Sequence, residues 1–112
     1  MKIAIPTADG RLCLHFGHCR AFALAEVDPE KGTVSEIEYL TPPEHEPGVL
    51  PRWLHEQGVE TVLAGGMGRT AQMLLSRQGI EVVVGAPSDE PEDLIRAYLA
   101  GSLQAGDNAC DH

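Results

Sequence analysis

Residues His15-Phe16-Gly17-His18-Cys19 put two imidazoles and a thiol within five positions. Cys13 stands two residues before them, and Cys110-Asp111-His112 closes the chain. Two short segments thus hold all 3 cysteines and three of the 5 histidines. Imidazole with thiolate is a donor set for transition metals and metal–sulfur clusters, whereas calcium and magnesium take oxygen. The chain reads first as something that holds a metal or a metallocluster.

Each donor also has a plainer reading. His15 is either an open ligand on a loop or a histidine hydrogen-bonded within its own turn. His18, three residues on, faces the same point only if the loop curls as a helical turn, which suits a supporting role beside His15. Cys19 is a ligand or a small buried core thiol. Phe16 suits anchoring the loop better than stacking on a ligand. Cys13-x-His15 has chelating spacing, as has Cys110-x-His112, the latter in a polar tail with no packing need for either residue. No C-x2-C pair exists, which disfavours a closed structural zinc site and a thiol oxidoreductase. His45, in a Pro-rich loop, and His55, on a helix, read as solvated. No serine sits in a nucleophile elbow, and Glu90, Glu92 and Asp93 read as first-turn residues answering a helix dipole.

The bulk properties narrow the partners. At 112 residues the chain is one domain with room for a hydrophobic core. Its net charge of −9, from 8 basic and 17 acidic residues, makes a poor partner for nucleic acid or an anionic membrane surface. An anionic ligand must then be held locally, by backbone N–H groups and nearby arginines, against the global field. No apolar run approaches the ~18 residues of a membrane helix. With no leader pattern before the first strand, the expected compartment is the cytoplasm, with thiols reduced.

The elements that must position the donors follow from periodicity and punctuation. Residues 2–6 form a short β-rich run, a central strand, followed by a loop to about Gly17. Residues 21–27 and 33–40 read as two arms of a hairpin around the Asp28-Pro29-Glu30-Lys31-Gly32 turn. A proline-rich loop follows over residues 41–47. Val49, Leu50, Trp53 and Leu54 mark one face of a short helix that stops at Gly58. Residues 59–64 make a buried strand, a helix lies between Gly68 and Gly79, and residues 80–84 make another strand. Ser88 or Asp89 is expected to cap a last helix with Pro91 in its first turn and Gly101 beyond its end. Gly58-Val59-Glu60-Thr61-Val62-Leu63 and Gly79-Ile80-Glu81-Val82-Val83-Val84 repeat one device, a helix stop followed by a strand start.

The order β-β-β-α-β-α-β-α predicts a mixed α/β sheet with helices on its faces. Residues 1–101 form the expected single domain, and 102–112 a flexible Cys/His-containing tail whose reach of up to ~40 Å allows a return to the first cluster. Ligands in such sheets bind beyond the carboxyl ends of the parallel strands. The His15–Cys19 loop and the Gly65-Gly66-Met67-Gly68 turn share that edge if their strands are neighbours. These glycines either let a ligand approach the backbone and the helix N–H groups, with Arg69 adding charge, or simply make a tight strand-to-helix turn.

Met1-Lys2-Ile3-Ala4-Ile5-Pro6, His15-Phe16-Gly17, Gly65-Gly66-Met67-Gly68, Gly79-Ile80-Glu81-Val82 and the Asn108-Ala109-Cys110-Asp111-His112 tail together resemble small single-domain members of the dinitrogenase iron–molybdenum cofactor biosynthesis and binding family. The resemblance implies a ribonuclease H-like motif, with a five-stranded mixed sheet of order 3-2-1-4-5, strand 2 antiparallel, and helices on both faces. It also implies a non-enzymatic carrier of iron–molybdenum cofactor, a precursor or a related molybdenum/iron–sulfur cluster, working with cluster donor or acceptor proteins. The proposed histidine ligand of the family falls on His15, and its frequent cysteine or small residue after the motif falls on Cys19.

On this reading the cluster sits between the His15–Cys19 loop, with Phe16 and Gly17 shaping it, and the turn of Gly65, Gly66, Met67, Gly68 and Arg69. His15 leads as metal ligand and Cys19 follows, while His18 orients His15 or bonds cluster sulfides. Cys110 and His112 close over the cargo. Two alternatives stand beside it: a mononuclear zinc or copper site on Cys13, His15, Cys19 and the tail, and a regulatory or interaction domain with no metal.

Overall fold

A computed structural model describes residues 1–13, 19–43 and 49–103. The elements are β1 (Lys2–Ala8), β2 (Arg11–Leu12), β3 (Ala21–Asp28), β4 (Thr33–Val34), β5 (Glu38–Leu40), α1 (Val49–Glu56), β6 (Thr61–Leu63), α2 (Arg69–Arg77), β7 (Glu81–Val83) and α3 (Pro91–Leu99). The sheet runs β4-β3-β1-β6-β7, with β2 added to β1 and β5 to β3. β1 is antiparallel to β3 and parallel to β6, and β6 is parallel to β7.

The main order and the antiparallel second long strand are as expected, but the sheet has seven strands, not five. Two local events add the extra pair. Residues assigned to loop instead fold back on β1, with Thr7 opposite Leu12 and Ala8 opposite Arg11. The turn is Asp9-Gly10, both at positive φ (56° and 79°), the geometry that matches strand twist in a two-residue hairpin. The second event splits residues 33–40. Val27 faces Val34 while Leu24 faces Glu38, so three steps along β3 oppose four on the returning chain. That extra residue is a β-bulge. Ser35 holds it, because its hydroxyl accepts from the Glu26 N–H at 2.8 Å and its own N–H donates to the Glu26 carbonyl at 2.8 Å.

Alternation along the strands sends side chains to two cores. On one face Ala4, Phe22, Leu24 and Val62 pack with Leu50 and Leu54 of α1 and Leu75 of α2. On the other Ile3, Ile5, Ala23, Ala25 and Leu63 pack with Leu94 and Ile95 of α3. Helices thus cover both faces. The repeated stop-and-start device works as a Schellman close. Gly58 and Gly79 adopt φ of 82° and 77°, and the next residue's N–H reaches back to Leu54 (3.1 Å) and Leu75 (3.0 Å). Gly101 ends α3 likewise, with the Ser102 N–H bonded to the Ala97 carbonyl at 2.9 Å.

The cap of α3 differs from expectation. Glu90 is the N-cap and makes no side-chain cap bond, while the Ser88 hydroxyl donates to the Leu12 carbonyl at 3.0 Å. Ser88 therefore ties the start of α3 to the β1–β2 hairpin. Among the described residues no helix is long and apolar enough to cross a membrane. The expected tail ligands Cys110 and His112 lie outside the described residues.

Candidate functional site

Because β1, β6 and β7 are parallel, their carboxyl ends share one edge of the sheet. β5 is antiparallel to β3 and so points the same way. Residues following β1, β5, β6 and β7 therefore gather at that edge. This is the placement that the sequence required of the glycine turn after β6.

The loop is pinned on both flanks of β1. The Cys13 N–H donates to the Pro6 carbonyl at 2.8 Å, and the Arg20 N–H donates to the Thr7 carbonyl at 2.9 Å. Adjacent carbonyls of one strand thus hold its two ends. Leu12 is buried on the α3 face, and Cys13, the next residue, packs against the core under α1 and α2. Cys19 is buried in that same core, 6% exposed, and Met67 lies in it fully buried. His15, Phe16, Gly17 and His18 lie outside the described residues.

Burial sets the chemistry of Cys19. Desolvation pushes its thiol up to about 11, the nearby Cys13 raises it further, and a backbone hydrogen bond at Cys19 partly opposes both. At neutral pH Cys19 is therefore a protonated thiol. Cys13, half-buried, is the more accessible sulfur.

The β6–α2 turn is rigid. The Gly85 N–H donates to Gly65 O at 2.9 Å, and the Ala86 N–H to Ala64 O at 3.1 Å, locking the turn to the residues after β7. Gly65, Gly66 and Met67 are buried, whereas Gly68 and Arg69 are exposed. Gln72 closes it from inside α2, with its side-chain amide donating to Met67 O at 2.9 Å and its N–H to Gly68 O at 3.1 Å. The motif pointed to no role for Gln72, since only its position one turn into α2 marks it.

Gly68 is the informative glycine. It caps α2 with φ −65° and ψ 158°, values open to any residue, and a Cβ there meets nothing within 4 Å. Neither backbone conformation nor packing within the described chain demands glycine. What the position offers is an exposed backbone at the mouth of α2, whose first N–H groups lack intrahelical acceptors.

Among the described residues no group of three His, Cys, Asp or Glu side chains could hold a metal ion. His55 is exposed near the end of α1, as expected, and His45 lies outside the described residues. A cavity of about 590 Å³ opens at the opposite end of the sheet, lined by residues including Met1, Glu26, Asp28 and Ser35. Its polar groups are engaged internally: Asp28 accepts the Glu30 and Lys31 N–H groups, and Ser35 holds the bulge. Its chemistry is structural.

The fold is matched by likeness to known proteins. The model of the dinitrogenase iron-molybdenum cofactor family matches residues 1–101. The chain belongs to that family. Within reach of it is an uncharacterized protein of Methanocaldococcus jannaschii, 28% identical over 107 residues that cover 93% of this chain and 90% of that one. The crystal structure of PH0822 is 31% identical, with a TM-score of 0.85 over 94% of both chains. The apo form of the orange protein from Desulfovibrio gigas shares the fold, with a TM-score of 0.73 at 22% identity over 96% of this chain and 93% of that one. Family membership ties the chain to the handling of iron–molybdenum cofactor or related clusters.

Proposed function

We propose that this chain is a non-catalytic binding protein and carrier for iron–molybdenum cofactor, a precursor or a related molybdenum/iron–sulfur cluster. Its cargo site is the sheet edge at the carboxyl ends of β1 and β6, beside the β6–α2 turn. The observation that supports the reading is that Cys13 and Cys19, at the two ends of the His15 segment, and a glycine turn with an unfilled approach at Gly68 follow strands that end at one edge, in a chain that the family model matches over residues 1–101.

The donor set suits such cargo. His15 serves as the leading ligand and Cys19 as the next, losing its proton when metal arrives. His18 orients His15 or donates to cluster sulfides. Backbone N–H groups from Gly66 to Arg69, with the Arg69 guanidinium, offset the negative charge of a sulfide cluster within a protein of net charge −9. Cys110 and His112 supply a closing pair that can also let go, which suits delivery to an acceptor protein.

Anaerobic purification without a tag, with elemental analysis for Mo, Fe, Cu and Zn beside a visible spectrum, tests the proposal. Molybdenum or iron with sulfide-to-metal charge-transfer bands, lost in His15→Ala, is the expected result. Stoichiometric zinc or copper without such bands replaces the cluster with a mononuclear site. A metal-free chain that also refuses thiomolybdate and iron–molybdenum cofactor overturns both and leaves an interaction domain.

A further inference from the structure

The two edges of the sheet are built differently. At one, the Ser35 bulge separates β4 from β5, and Pro42 and Pro43 follow β5. Bulges and prolines keep an edge strand from recruiting another strand. At the other edge β7 pairs with β6 alone among the described residues, and Val82-Val83-Val84 carries neither charge nor proline. All three valines are half-buried.

Hydrogen bonds within the chain decide which groups of that edge are free. The Glu81 N–H donates to the Glu60 carbonyl at 2.9 Å, and the Val83 carbonyl accepts from the Ala64 N–H at 2.8 Å. Residues 81 and 83 thus face β6, and alternation turns the N–H and carbonyl groups of Val82 and Val84 outward. Beyond them the edge is closed at both ends. The Ile80 N–H donates to the Leu75 carbonyl at 3.0 Å, and the Ala86 N–H to the Ala64 carbonyl at 3.1 Å.

We propose that β7 is a self-pairing strand, joining a second copy of this chain antiparallel about a two-fold axis at Val83. The inference goes beyond the cargo reading and does not rest on it. In this register Val82 lies opposite Val84 of the second copy, and each such pair exchanges both of its backbone bonds, four in all. Centring on Val82 would set Val84 opposite Ile80, and centring on Val84 would set Val82 opposite Ala86. Either choice meets an N–H already committed within the chain.

Charge selects the same register. Exposed Glu81 meets Gly85 of the second copy, so no acid faces acid. Valine meets valine across the axis, a favourable cross-strand pair. The strand is therefore its own complement in hydrogen bonding, apolar side chains and charge. The carboxyl ends of β1 and β6 in the two copies point in opposite directions, so neither copy covers that edge of the other.

Sedimentation of the full-length chain over a concentration series reaching the millimolar range tests the pairing. The expected result is a reversible monomer–dimer equilibrium that tightens as salt rises, because two chains of net charge −9 repel. Val84→Pro should weaken it at least about tenfold, since two of the four bonds go and no bond within the chain is lost. Disulfides in a Cys13→Ser, Cys110→Ser background read the register. Opposed residues at the axis have Cα atoms about 4.5 Å apart, within disulfide reach, so Val83→Cys should link the two copies on mild oxidation. Val82→Cys, two positions away from its own copy, should not. A chain that stays monomeric, a dimer that loosens with salt, or equal linking by Val82→Cys overturns the proposal. If Val84→Pro does not fold, the disulfide pattern decides.

Discussion

The side-chain amide of Gln72 donates to the main-chain carbonyl of Met67 at 2.9 Å, so α2 grips the turn that precedes it. Met67 is fully buried, and its carbonyl lies between the buried Gly66 and the exposed Gly68. The bond fixes where the buried part of the turn ends and its exposed part begins. Gln72→Ala is expected to cost about 1 kcal/mol, the usual worth of a side-chain to backbone hydrogen bond. It should also weaken cargo binding, because the N–H groups from Gly66 to Arg69 lose their fixed aim. Urea midpoints and thiomolybdate titration of the variant check this. Full stability with unchanged binding would remove Gln72 from the site.

Cys19 makes stability fall in alkali. Its folded thiol titrates at about 11, above the value of 9.0 for a solvated thiol, so between these values the unfolded chain loses the proton first. The unfolded state then binds fewer protons than the folded one, and unfolding becomes easier as pH rises. The contribution is intact below pH 9 and is lost towards pH 11, up to roughly 2–3 kcal/mol. Urea midpoints from pH 8 to 11 should drop more steeply for the natural chain than for Cys19→Ala. Parallel curves would show that Cys19 is not a buried thiol. The same burial predicts that iodoacetamide at neutral pH modifies Cys13 well before Cys19.

The residues at which sequence and structure agree share a cause. The copies around Gly58 and Gly79 read correctly because a helix stop at positive φ and a buried strand start are both local. Ile3, Ile5, Ala23 and Ala25 alternate with Ala4, Phe22 and Leu24, which set the two faces. What escaped was the work of single side chains across sequence distance. Ser35 makes a bulge by bonding Glu26, Ser88 reaches Leu12 instead of capping α3, and Gln72 reaches back to Met67. None has a periodicity to betray it. Asp9-Gly10 has the sequence of a two-residue hairpin turn, but β2, two residues long, is too short to show the alternation of a strand. Of the site, the edge that receives the glycine turn was legible and the burial of Cys19 was one of two open readings, whereas the packing of Cys13 on the same face follows only once β2 is known.

Two glycines that look alike on paper should behave differently. Gly79 sits at φ 77°, where an added Cβ costs about 1–2 kcal/mol, and Gly68 sits at φ −65° with nothing within 4 Å of a Cβ. Gly79→Ala is expected to lose that stability. Gly68→Ala should stay within about 0.5 kcal/mol, because the lost preference of the cap for glycine is offset by a less flexible unfolded chain. If Gly68 is glycine so that cargo can approach, Gly68→Ala loses cargo binding while its unfolding curve barely moves. Equal cargo affinity in the variant would make this glycine a plain turn residue.

Trp53 offers a direct reading of where the cargo lands. It is the only tryptophan in the chain, half-buried on α1, with its ring 5.6 Å from that of Phe22 at an interplanar angle of 57°. Phe22 pairs across β3 and β1 with Pro6, whose carbonyl holds Cys13. Trp53 packs against the same core as Cys13 and Cys19, near the carboxyl end of β1. A visible-absorbing metal–sulfide cargo at that edge should quench Trp53 emission as it binds, in step with thiomolybdate uptake followed by elemental analysis. Cys19→Ala, with the indole undisturbed, should lose uptake and quenching together. Uptake with undiminished emission would put the cargo away from this edge and send attention to the cavity at the opposite end of the sheet.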